Sequence, residues 1–140
     1  MILLDTNVVS ELMSTSPDPT VEAWIAGHPV KDLFFSAIGE SELRYGAAIM
    51  PAGRRRETLA ADIEAMLHAA FENRILPFDS GAARAYATIA AKRRLAGRGV
   101  APADCQIAAI ARARGMAVAT RNVRDFEDMG IEIFNPWDGA

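Results

Sequence analysis

Met1-Ile2-Leu3-Leu4-Asp5-Thr6-Asn7 opens the chain as a short apolar run that stops on a carboxylate and turns polar. A run bounded in this way reads as a buried parallel strand. Asp5 then stands at its carboxyl end, the edge where open α/β sheets place their ligands. Working outward, Thr6 is the expected N-cap of a first helix over residues 7–13, closed by the turn-rich segment 14–19. Thr20 is the expected cap of a second helix, with Val21, Trp24 and Ile25 at helical spacing. Leu33, Phe34 and Phe35 read as a second strand, and Ser36 begins the helix that holds Glu40 and Glu42. Pro51 and Gly53 mark a break before a long amphipathic helix striped by Leu59, Ile63, Met66, Leu67 and Ala70.

Residues 75–78 read as a third strand, and Asp79 caps a helix with Tyr86, Ile89 and Ala90 on one face, ending near Gly97. Pro102 suits the first turn of the next helix, which runs to about Arg114 and stops at Gly115. Residues 117–120 and 131–134 are the fourth and fifth strands. Strands alternating with helices predict an α/β sandwich with a mainly parallel sheet, because parallel neighbours need crossover helices.

The 140 residues make one domain, with neither a repeat nor a low-complexity segment. Hydrophobic residues reach 51%, but charges interrupt every apolar run before the roughly 20 residues that span a bilayer. The amino terminus lacks the pattern of a secretory signal, so the expected location is the cytoplasm. Cys105 is the sole cysteine, and His28 and His68 lie far apart, so neither a disulfide nor structural zinc is expected.

The net charge of −3 is unevenly spread. Lys92, Arg93, Arg94, Arg98, Arg112, Arg114, Arg121 and Arg124 surround one acid, Asp104, whereas residues 125–140 carry only acids. A basic block is most often a solvated face. A lone carboxylate among arginines is also what cleavage of a polyanion needs, with cations to hold phosphates and an anion to hold a metal.

Topology brings Asp5, Glu42, Asp104 and Asn122 towards one end of the sheet. Glu42 falls in line with Ile38, Tyr45 and Ile49, and is expected to point inward from that apolar face, whereas Glu40 and Arg44 form an i,i+4 pair opposite. Asp104 shares a face with Ile107, Ala108 and Ala111, although an acid at a helix N-terminus is also favoured by the dipole. Asp5 taken singly reads equally well as a helix cap. Together, three inward acids without a histidine or cysteine set describe a site for Mg²⁺ or Mn²⁺ and thus phosphodiester hydrolysis.

Residues 1–12, 36–46, 101–111 and 119–126 resemble the four signature segments of the PIN-domain ribonucleases. The likeness covers essentially the whole chain, ends in Ile133-Phe134-Asn135-Pro136-Trp137, and points to the VapC toxins, in the FitB-like branch. It implies a single PIN domain over 1–140: a three-layer fold with a mainly parallel five-stranded sheet flanked by helices. It places the acidic metal site on Asp5, Glu42 and Asp104. A fourth position, commonly aspartate, reads Asn122 here, with Asp125 as a partial substitute. Thr6 and Thr120 resemble the family's hydroxyls beside the metal, or are ordinary strand-end caps.

The resemblance further implies a Mg²⁺- or Mn²⁺-dependent ribonuclease acting on RNA, usually dimeric, and the toxin of a type II pair. A VapB- or FitA-like antitoxin would hold it inactive and alone contact DNA. Met13, Trp24, Ile25 and the long helix's stripe are either surface for such partners or ordinary core. Arg98 and Arg121 are the expected RNA contacts, unless these arginines pair with the acids of residues 125–140.

Three rivals remain. A haloacid-dehalogenase-type phosphatase needs a second aspartate where Asn7 stands, and a receiver domain needs an acid pair and a late lysine that are absent. A catalytically silent PIN domain, binding RNA or acting as a scaffold through a DNA-binding partner, is the alternative from another class. Retention of Asp5, Glu42 and Asp104 argues against it.

Overall fold

In a computed structural model, residues 1–139 are described. Five strands and seven α-helices follow one another as β1 (Ile2–Leu4), α1 (Thr6–Leu12), α2 (Pro19–Ala26), β2 (Leu33–Ser36), α3 (Ala37–Ala48), α4 (Arg54–Phe71), β3 (Ile75–Leu76), α5 (Ser80–Leu95), α6 (Pro102–Ala113), β4 (Ala117–Ala119), α7 (Val123–Phe126) and β5 (Ile133–Phe134). The sheet order is β3-β2-β1-β4-β5 and every pairing is parallel. The expected mainly parallel sheet is thus wholly parallel. Among the described residues no helix is long and apolar enough to cross a membrane.

Strand periodicity splits the core into two layers. Leu3 points to one face, where it packs with Ile89, Ile107, Ile110, Val118 and Phe126 beneath α5 and α6. Ile2 and Leu4 point to the other, joining Val8, Val21, Phe35, Ile63, Leu67 and Phe71 beneath α1, α2 and α4. The sheet is therefore the middle of three layers. Trp24, Ile63 and Leu67 are buried in this second core, whereas Met13, Ile25, Leu59, Met66 and Ala70 are only partly buried against it.

Several boundaries differ from the expectation, each for a local reason. Asp5, not Thr6, caps α1, and Asp18, not Thr20, caps α2; each carboxylate accepts a backbone N–H at 2.8 Å. A carboxylate outcompetes a hydroxyl at the positive end of the helix dipole, and Pro19, lacking an N–H, fits the first helical position after Asp18. Ser36 and Asp79 cap α3 and α5. Strand β3 stops before Pro77, which has no ladder donor. Helix α7 is a single turn, too short for any apolar period to announce it.

Register positions the site. Leu4 pairs with Ala119, and the Asp5 amide donates to the Ala119 carbonyl at 2.9 Å, so β1 and β4 end level with each other. Asp5 and Thr120 consequently emerge side by side. On the other flank, a Cβ added at Gly39 would lie 2.3 Å from the Phe35 ring. Only glycine lets α3 seat this closely on β2, and that seating sets where Glu42 stands.

Candidate functional site

At the carboxyl edge of β1, Asp5 is only 5% exposed. Its two oxygens have separate partners. The Thr6 amide donates to Oδ1 at 2.8 Å, and the Thr120 hydroxyl donates to Oδ2 at 2.8 Å. Burial nevertheless pushes the Asp5 carboxyl above its ordinary range, against the lowering effect of those two hydrogen bonds, and the Glu42 and Asp125 charges push it further.

Thr120 is the hub that joins β1 to β4. Its hydroxyl oxygen accepts from the Asn122 amide at 3.0 Å, and Asn7 Nδ2 lies 3.5 Å away. Asn7 Oδ1 in turn accepts from the Arg121 amide at 3.3 Å. Thr6 bridges the other way, its hydroxyl donating to Glu42 Oε1 at 2.6 Å. The two threonines thus do more than end strands, since each holds an acidic residue.

Asp104 occupies the first turn of α6, whose buried face carries Ile107, Ala108 and Ala111. It is half-buried, and its carboxyl is pushed up to about 6, first by burial and then by the Asp5, Asp125 and Glu42 charges, with Arg93 opposing. These mutual influences show that Asp5, Glu42, Asp104 and Asp125 share one neighbourhood. Asn122 borders it as the residue preceding α7, the turn that carries Asp125.

The expected inward direction of Glu42 is corrected by the structure. Glu42 does share a side of α3 with Tyr45 and Ile49, but that side is open to solvent, with Tyr45 66% and Ile49 63% exposed. The helix buries Gly39 and Ala47 instead. Ile38 and Leu43 pack against the core only partly buried, while Tyr45 and Ile49 do not. Glu42 reaches Asp5's neighbourhood from the solvent side through Thr6, and it borders a groove of about 510 Å³ lined also by Ser10, Met13, Gly46 and Leu59. Glu40 pairs with Arg44 at 2.7 Å, as its spacing requires.

The basic block divides. Arg98 Nη1 lies 2.6 Å from Asp128, so this arginine pairs with the acidic tail, as the competing expectation held. Arg121 lies with its guanidinium carbon 5.0 Å from the Trp137 ring centroid, remaining exposed at the rim. Arg93, unremarked in sequence except as part of the block, is only 8% exposed. It follows Ala82, Tyr86 and Ile89 at helical spacing along the inner face of α5, and that spacing was the available signal.

Among the described residues no three His, Cys, Asp or Glu side chains form a preformed metal cage. The donor set still suits a hard cation, because Mg²⁺ takes one or two carboxylates and fills its octahedron with waters and substrate oxygens. Each oxygen of Asp5 uses one lone pair in its hydrogen bond and retains another for a ligand. The raised Asp104 carboxyl has the excess negative field that a cation relieves.

Residues 2–132 match the PIN domain. The chain is 46% identical to "VapC ribonuclease Y4jK" of Sinorhizobium fredii over 100% of both chains, and 39% identical to "Toxin FitB" of Neisseria gonorrhoeae over 98% of this chain and 99% of that one. Its fold superposes on the crystal structure of FitAcB from N. gonorrhoeae with a TM-score of 0.90, covering 98% of this chain and 99% of that one at 39% identity. DNA-bound VapBC from Salmonella typhimurium gives 0.82 at 31% identity, over 96% and 97% of the two chains. With acids gathered at the carboxyl edge of a parallel sheet and likeness along its full length, the chain belongs to the PIN-domain family.

Proposed function

We propose that this protein is a Mg²⁺- or Mn²⁺-dependent endoribonuclease and the toxin half of a VapBC-type pair, acting in the cytoplasm. The observation that carries this reading is the buried Asp5 at the sheet edge, bridged to Glu42 by the amide and hydroxyl of Thr6, with the charges of Asp5, Glu42 and Asp125 all acting on Asp104. Burying Asp5 and holding Asp104 among other acids is costly for a protein that only binds or scaffolds, and a bound cation would offset that cost. The similarity to a VapC ribonuclease and to the toxin FitB supports the same choice.

Asp5, Glu42 and Asp104 are assigned as the metal ligands, with Asn122 and Asp125 completing the rim. When bound, a hard divalent cation supplies Lewis acidity towards a phosphate oxygen and lowers the pKa of water. The protein's own part is positional. The Thr6 amide and Thr120 hydroxyl fix both oxygens of Asp5, and the Thr6 hydroxyl fixes Glu42, so these two carboxylates are oriented before the substrate arrives. Asn122 adds no charge where the family commonly has aspartate, and Asp125 supplies the fourth negative charge instead. Arg121 is assigned to a backbone phosphate of the RNA, and Arg98 to a second where it can exchange Asp128 for the substrate.

The groove beside Glu42 is assigned to a VapB- or FitA-like antitoxin, with Met13 and Leu59 as its apolar wall. DNA contact is assigned to that partner, in keeping with a VapBC complex from Salmonella typhimurium that is DNA bound. A homodimer belongs to the same proposal, and the exposed Tyr45 and Ile49 on α3 are the apolar residues a second copy would cover. The test is induced expression of wild type and Asp5→Asn, followed by mapping of RNA 5′ ends. New 5′ ends and growth arrest with the wild type alone support the reading. Harmless expression without new ends, together with no antitoxin copurifying from the native host, favours the silent scaffold.

A further inference from the structure

A buried guanidinium without a carboxylate partner needs an explanation. Arg93 is 8% exposed, forms no salt bridge among the described residues, and its Nε is buried without a hydrogen-bond partner. Methionine or leucine would fill the same inner position of α5 without the desolvation cost. What Arg93 does engage is backbone. Nη1 donates to the Glu127 carbonyl at 2.9 Å and approaches the Asp125 carbonyl at 3.5 Å. Those two carbonyls belong to the end of α7 and the residue after it, the turn that carries Asp125 and starts after Asn122.

We propose that Arg93 is a positioning residue of the acidic site: its guanidinium grips the backbone of residues 125–127 and so sets where Asp125 and Asn122 stand relative to Asp104. Helix α7 is a single turn and cannot hold itself in place. Its start is tied by the Asn122 amide to the Thr120 hydroxyl and its Phe126 side chain is buried, while its far end is held by the Arg93 contacts on both sides of Phe126.

This inference rests on the metal-nuclease reading of the site, and the test separates the two. Arg93→Gln, Arg93→Lys, Asp125→Asn and the double variant Arg93→Gln/Asp125→Asn are compared with wild type. Three quantities are measured: Mn²⁺ binding to RNA-free protein by the paramagnetic resonance of free Mn²⁺, kcat and KM on a model RNA, and the thermal midpoint. Outer-shell partners of metal ligands typically contribute about 10–100-fold. Arg93→Gln is expected to weaken Mn²⁺ binding about tenfold and lower kcat with KM little changed.

If Arg93 acts through Asp125, the double variant binds Mn²⁺ no more weakly than Asp125→Asn alone. Arg93→Lys, which keeps the charge but loses the planar fork, falls between wild type and Arg93→Gln. Wild-type Mn²⁺ affinity in folded Arg93→Gln, even with a lowered midpoint, overturns the proposal, as do fully additive losses in the double variant. Should Arg93→Gln not fold, Arg93→Lys decides: intermediate affinity supports the proposal, and wild-type affinity with a lowered midpoint overturns it. A wild type that binds no Mn²⁺ sinks the site reading itself, and this inference with it.

Discussion

Replacing Asp104 by asparagine should stabilise the metal-free protein while destroying its activity. The carboxyl rises from 3.8 to about 6 on folding, so the ionised form is disfavoured in the native state. Between about pH 4 and pH 6 the folded protein holds a proton at Asp104 that the unfolded chain has already released. The unfolding free energy contributed by this group therefore falls as pH rises through that window, and the deficit is complete above pH 6. A shift of this size corresponds to about 3 kcal/mol at 1.36 kcal/mol per unit, and solvent screening of a half-buried group reduces it to about 1–2 kcal/mol.

For a domain of this length that amounts to roughly 4–8 °C in melting temperature. The assay is scanning calorimetry in EDTA at pH 4 and pH 7.5, on wild type and Asp104→Asn. The variant's advantage should be near zero at the lower pH and full at the higher one. Saturating Mg²⁺ should then raise the wild type and leave the variant almost unmoved. An equal difference at both pH values, or a variant less stable at pH 7.5, refutes the claim that Asp104 is held ionised against its surroundings.

Asp5→Asn, Glu42→Gln and Asp104→Asn should each abolish RNA cleavage and growth toxicity with the far-UV circular dichroism unchanged; wild-type cleavage by a folded variant removes that residue from the mechanism. EDTA should stop cleavage, and Mg²⁺ or Mn²⁺ should restore it, whereas full activity after thorough chelation excludes metal catalysis. Arg121→Ala should flatten the salt dependence of RNA binding by about 0.7 in the slope of log K against log salt. Arg98→Ala should cost under about 1 kcal/mol of stability, because its bridge to Asp128 is largely exposed, and a flattened slope in this variant too would give it the substrate role assigned above. Gly39→Ala should destabilise by about 1–3 kcal/mol, since its Cβ meets the Phe35 ring, and a melting temperature within 1 °C of wild type contradicts the close seating of α3.

The fold was legible in sequence because its strands are short apolar runs that end on polar residues. Asp5 after Leu4 and Thr120 after Ala119 gave both ends of the site's central pair, and the structure sets them level. Caps were legible to within one or two residues, since both a carboxylate and the hydroxyl nearby can cap and only geometry chooses. Helix α7 was not legible, because four residues contain too little period to see. What holds it is an arginine some thirty residues earlier, and side chain to backbone contacts leave no pattern in either segment.

Glu42 teaches the sharper lesson, because the inward direction expected of it is not the one observed. Ile38, Tyr45 and Ile49 made one side of α3 look like its core face, yet of the three only Ile38 packs on the core, and the fully buried residues of the helix are Gly39 and Ala47, with the Phe35 ring leaving room for nothing larger at position 39. Hydrophobic periodicity reports where large apolar residues lie, whereas close packing against a sheet selects small ones. The consequence is chemical. With Glu42 open to solvent and Asp5 buried, the acids form a site with one fixed wall and one accessible wall, joined by the two donors of Thr6: its amide on Asp5 and its hydroxyl on Glu42. Under the proposed function, a phosphodiester too long to enter a closed cavity would reach carboxylates arranged in this way from the Glu42 side, so the exposure that defeats the inward expectation is what the proposed endonuclease requires.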